Sequence, residues 1–89
     1  MQLHIVIYGQ VQGVFFRSNA KDVAEKLGLV GWVKNNPNGS VETLAQGTKE
    51  NLGKFLTWCK RGPSGAKVDK VEVEWGNRLE NYDNFDVIY

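Results

Sequence analysis

Hydrophobic and polar positions divide the chain into alternating strand and helix patterns. Gln2–Gly9 (QLHIVIYG) is rich in Ile, Val and Tyr and ends at glycine, which predicts a strand apolar enough to be central. Gln10–Phe15 then reads as a loop, because Gly9 and Gly13 supply backbone angles that other residues resist. Phe16, Ala20, Val23, Ala24 and Leu27 recur at helical spacing, and Gly28 is placed to stop that helix as a left-handed cap. Leu29–Asn35 and Ser40–Gln46 are predicted strands joined by the turn Asn36-Pro37-Asn38-Gly39. Thr48 is a natural N-cap, and Leu52, Phe55, Leu56 and Cys59 form the apolar stripe of a second helix. Gly62-Pro63-Ser64-Gly65 ends it. Lys67–Trp75 alternates with period two, apart from a register change at Asp69-Lys70 that predicts a bulge. A polar connection, Gly76–Asp83, leads to a short last strand, Asn84–Tyr89.

Strand–helix–strand twice over, followed by one more strand, implies a split βαβ, ferredoxin-like α+β sandwich. An antiparallel sheet is expected, carrying both helices on one face. The 89 residues suit one domain over 1–89. A composition of 42% hydrophobic and 24% charged residues excludes a disordered chain. The net charge of +1 supplies no global field toward nucleic acid or membrane, so any anion site must be local. The single cysteine, Cys59, allows no internal disulfide. With no leader pattern and no long apolar run, a cytoplasmic, soluble monomer is expected, with neither nucleic-acid nor membrane partners.

The chemistry concentrates where the first strand enters the first helix: Gly9-Gln10-Val11-Gln12-Gly13-Val14-Phe15-Phe16-Arg17. Successive amides of a glycine-bearing loop can form a concave anion site, and a helix start adds orphan donors with partial positive charge. Arg17 sits at that junction, and a guanidinium grips two phosphate oxygens at once. An ordinary strand–helix connection with a surface arginine would read the same way. The loop is neither a Walker motif nor the dinucleotide glycine pattern. The second segment, Gly31-Trp32-Val33-Lys34-Asn35 running to Gly39-Ser40-Val41-Glu42, says by itself only that there is a hairpin.

Together the two strings resemble the paired signatures of the acylphosphatase family: G-Q-V-Q-G-V-F-F-R looks like G-x-V-Q-G-V-x-F-R, and G-W-V-K-N-x-x-x-G-x-V-E looks like the second signature, in that family's order and spacing. The likeness extends over essentially the whole chain. It implies hydrolysis of acyl phosphates to a carboxylate and inorganic phosphate, with a small-molecule substrate and neither metal nor cofactor. Arg17 matches the family's phosphate-binding arginine and Asn35 the residue that orients the attacking water. Gln10, Val11, Gln12, Gly13, Val14 and Phe15 match the phosphate cradle. Two positions depart from the pattern. Ile88 stands where many relatives have arginine, which puts a structural contact in doubt, and Gln10 removes a charge that some relatives carry.

The remaining residues have structural readings. His4, on the first strand, needs no catalytic role. Trp32, Trp58 and Trp75 read as core or edge packing. Cys59, with no second cysteine, suits the buried helix stripe rather than a metal or redox site. Glu72 and Glu74 share one strand face. The alternative function is a non-catalytic phosphate or carbamoyl-phosphate binding module, which would keep Arg17 and the loop. An RNA-recognition domain is excluded by the absence of its aromatic strand motif.

Overall fold

The computed structural model describes residues 1–78 and 80–89. Strand β1 (Gln2–Gln10) buries Leu3, Ile5 and Ile7 completely, and their neighbours in the pleat face the other side of the sheet. It lies between β3 (Val41–Gln46) and β4 (Lys67–Gly76), antiparallel to both. Strand β2 (Val30–Asn35) pairs antiparallel with β3, and β5 (Phe85–Ile88) joins the far edge, giving the order β4-β1-β3-β2-β5. Helix α1 (Phe16–Lys26) connects β1 to β2, and α2 (Lys49–Arg61) connects β3 to β4. In each unit the two joined strands run parallel with one strand inserted between them, so both βαβ units are split as the pattern predicts.

The expected antiparallel sheet holds for the first four strands only, because β5 runs parallel to β2. The cause is topological. Strand β4 ends beside Gln2, and the chain then crosses that end of the sheet, where Gln46 Nε2 donates to Glu80 O at 2.6 Å. It therefore starts β5 from the same end, antiparallel to β4 and parallel to β2. The connection expected over Gly76–Asp83 includes Leu79, which lies outside the described residues.

Both helices turn their apolar faces to one side of the sheet. Phe16, Ala20 and Ala24 of α1 and Leu52, Phe55 and Cys59 of α2 close the core over Ile5, Ile7, Val33 and Val41. Trp58 meets Phe16 edge-on at 5.2 Å between ring centroids, which links the two helices. Gly28 does adopt a left-handed conformation (φ 70°). Its amide bonds to Glu25 O and that of Leu29 to Ala24 O, closing a Schellman motif. The predicted bulge is also present: Tyr8 pairs with Lys70 and Gly9 with Val68, leaving Asp69 extra. Only glycine fits at position 9, since a Cβ there would lie 2.1 Å from Lys67 O.

Candidate active site

The end of β1 carries the chain into a tight loop whose ends are pinned by buried Val11 and Phe16. Between them Gly13 has φ 75° and Phe15 φ 58°, while the flanking residues Gln12 and Val14 keep negative φ. Alternation of this kind turns successive amides toward one concavity, the nest arrangement that binds anions. None of the backbone amides of residues 12–18 donates a hydrogen bond to another described residue. The last three of them are the orphan donors of the α1 start.

Phe15 is the one non-glycine residue with positive φ among those described, and its side chain is 80% exposed. A left-handed conformation costs such a residue about 1–3 kcal/mol. Its carbonyl is held by three donors: Asn19 N at 3.0 Å, Asn19 Nδ2 at 2.8 Å and Ser18 Oγ at 3.1 Å. These bonds fix the peptide that bends the loop into the helix. From the other side, Gln12 Nε2 donates to Asn36 O at 2.8 Å and to Ser40 O at 2.9 Å, bracing the loop against the β2–β3 turn. That turn has its own ties, from Asn36 Nδ2 to Ser40 Oγ and from Ser40 N to Asn38 Oδ1, both 3.0 Å.

A cavity of about 320 Å³ opens beside this loop, lined by Val11, Gly13, Phe15, Phe16, Arg17, Ser18, Asn35 and Tyr89. Arg17, in the first turn of α1, is held by the last strand. Its Nη1 donates to Ile88 O at 3.2 Å, and its Cζ lies 4.7 Å from the centre of the Tyr89 ring. Asn35 ends β2 on the same face as Gly31 and Val33, which brings it to the cavity from the other side. Its Oδ1 is buried and accepts no hydrogen bond among the described residues. A buried acceptor in that state costs about 1–3 kcal/mol, so a native fold retains one mainly where a ligand or water completes it.

The opposite face of the sheet carries Glu42, beside His4 and Lys34. Burial raises the pKa of Glu42, but hydrogen bonds from His4 and Asn36, with the charges of His4 and Lys34, outweigh it and hold the carboxyl below its ordinary range. His4 Nε2 sits 2.6 Å from Glu42 Oε2, which gives His4 the structural role its sequence position suggests. Cys59 is fully buried, and burial pushes its thiol pKa up, so it is inert.

Arg17, Asn35, Val11, Gly13 and Phe15 thus line one cavity. Gln10 belongs to β1, paired with Lys67, and Val14 lines a neighbouring groove. Gln12 braces the loop with its side chain. Sequence reasoning missed Ser18, Tyr89 and the carbonyl of Ile88. The departure at Ile88 leaves the Arg17 contact intact, because a main-chain oxygen makes it.

The acylphosphatase family profile matches residues 3–87. The chain is 40% identical over 86 residues to an acylphosphatase of Pelotomaculum thermopropionicum, covering 97% of this chain and 94% of that protein. The crystal structure of acylphosphatase from Bacillus subtilis superposes with a TM-score of 0.95 at 39% identity, covering 99% of this chain and 98% of that one. An acylphosphatase structure from Coxiella burnetii gives 0.92 at 39% identity, over 98% and 90% of the two chains. The chain belongs to the acylphosphatase family.

Proposed function

We propose that this protein hydrolyses acyl phosphates to a carboxylate and inorganic phosphate, with Arg17 and the amides of residues 12–18 binding the phosphoryl group and Asn35 aiming the water. The observation that carries this reading is the meeting of three unlike features at one cavity. They are a run of amides without acceptors among the described residues, a guanidinium, and a buried carboxamide oxygen that accepts from none of them. Phosphoryl transfer depends on positioning and charge stabilisation more than on a strong base. The amides and Arg17 hold the equatorial oxygens and take up the charge that develops on them. Asn35 Oδ1 accepts a hydrogen bond from the water, whose oxygen attacks phosphorus. The P–O bond to the acyl group breaks, and the carboxylate leaves with the electron pair. The proton lost by the water passes to an oxygen of the phosphate. The proposal extends to a single domain over 1–89, acting as a cytoplasmic monomer.

The test is phosphate release from acetyl phosphate with a chelator present, in wild type, Arg17→Ala and Asn35→Ala. Losing Arg17 should lower kcat/KM by roughly a thousandfold or more, the scale of a charged contact to developing oxyanions. Arg17→Lys should recover little of it, lacking the two-pronged geometry. Asn35→Ala should depress kcat by about a hundredfold while the inhibition constant of inorganic phosphate changes little. Saturable phosphate binding without turnover in wild type would identify a binding module instead.

A further inference from the structure

A second groove lies against the cradle on its other flank. It has about 560 Å³ and is formed by Val14, Phe15, Trp58, Arg61, Pro63 and Ala66, among others. Phe15 is common to this groove and to the phosphate cavity, so the two share a wall. The groove lies beside the start of β4, across β1 from β3 and β2. Asn35 approaches from the β2 flank. In phosphoryl transfer the attacking and leaving oxygens are roughly in line. Water aimed from the Asn35 side therefore sends the leaving acyl oxygen away from β2, over Phe15 and toward this groove.

The lining fits an acyl group better than solvent. Phe15, Pro63 and the half-buried Trp58 present flat apolar surface. Phe15 is held exposed by a strained backbone, a cost that burial in the core does not offset. Arg61 is the one charged residue of the lining, and it forms no ion pair among the described residues. We infer that this groove is the acyl subsite, and that it selects acyl phosphates whose acyl part is planar or extended and carries a second anion for Arg61. The inference rests on the hydrolase reading above.

Three probes separate the two ideas: acetyl phosphate, benzoyl phosphate, and benzoyl phosphate with a para carboxylate. Ser64 is exposed on the groove rim and does not line the phosphate cavity, so Ser64→Trp obstructs the groove from its far side. This variant should lose about tenfold in kcat/KM on benzoyl phosphate, the scale on which an apolar pocket discriminates. Its rate on acetyl phosphate and its inhibition by inorganic phosphate should stay within about twofold, which also shows that it is folded. Arg61→Gln should lose roughly fivefold on the carboxylated probe alone, as expected for an exposed pair. Equal changes on all three probes, or none, would overturn the acyl subsite while leaving the hydrolase intact. No turnover of acetyl phosphate by wild type would overturn both.

Discussion

Two strand-to-helix junctions stand at equivalent places in the two βαβ units, and they are built in opposite ways. At the start of α2, Thr48 takes the extended conformation usual for a cap, and its Oγ1 accepts from Asn51 N at 3.2 Å. Glu50 adds a negative charge in the first turn. At the start of α1, Phe15 occupies the cap position in a left-handed conformation, with no side chain bonded to the helix amides and no acidic residue in the first turn. Arg17 adds positive charge instead. The first junction satisfies its own helix. The second leaves its donors and dipole without a partner among the described residues, and stability alone does not favour that arrangement. Under the proposed function, the phosphoryl group is the missing cap.

The largest break in this comparison comes from giving α1 a cap of its own. Aspartate tolerates a left-handed backbone, so Phe15→Asp would place a carboxylate where the phosphoryl group is proposed to bind. Two such charges about 5 Å apart repel by about 3 kcal/mol at an effective dielectric of 20. Both kcat/KM on acetyl phosphate and phosphate affinity should therefore fall by about a hundredfold. The helix should meanwhile keep its stability or gain about 0.5 kcal/mol from charge at its N-terminus. Activity and melting temperature should thus part company. An active variant, or one that loses both together, would mean that the open junction is not reserved for an anion.

A smaller effect tests what supports the open junction. Gly62 ends α2 with φ 74°, and a Cβ there would lie 3.1 Å from Ala66 Cβ, 3.2 Å from Phe16 Cε2 and 3.3 Å from Val68 Cγ2. Phe16 is the first residue of α1, so the end of one helix buttresses the start of the other. Gly62→Ala should cost about 1–3 kcal/mol from backbone strain and crowding. Calorimetric unfolding reads that loss. A variant as stable as wild type would show that the two helix ends pack independently.

Much of this contrast is legible in the sequence, and the limits have a physical cause. Thr48, Gly28 and the bulge at Asp69 follow from local backbone preferences, which a few neighbouring residues determine. The loop before Arg17 is legible for the same reason, as is its likeness to a family motif. What surrounds Arg17 is not. Ile88 O and Tyr89 reach it only because β5 joins the β2 edge in parallel, and that pairing depends on how residues beyond β4 cross the sheet. The unpaired Oδ1 of Asn35 is equally hidden, since a hairpin string does not reveal which face the side chain takes or what it lacks there. Gln12 illustrates the intermediate case. Its place in the motif is visible, but its bonds to Asn36 and Ser40, 24 and 28 residues away, are a tertiary fact.

The smallest predicted effect probes the junction that looks ordinary. Thr48→Ala removes the side-chain bond that caps the α2 start and leaves the amide of Asn51 to water. Caps of this type contribute about 1 kcal/mol, which for a domain of this size lowers Tm by roughly 4–8 °C. The site stands at the opposite end of β3, near Val41 and Ser40, so kcat/KM should stay within about twofold of wild type. The comparison needs both halves of that result. If Thr48→Ala melts early but turns over normally, capping at α2 serves the fold and its absence at α1 serves the reaction. Were turnover to fall with stability, the two helix starts would be coupled through the core that Trp58 and Phe16 share, and the open end of α1 would have to be read as part of one cooperative structure.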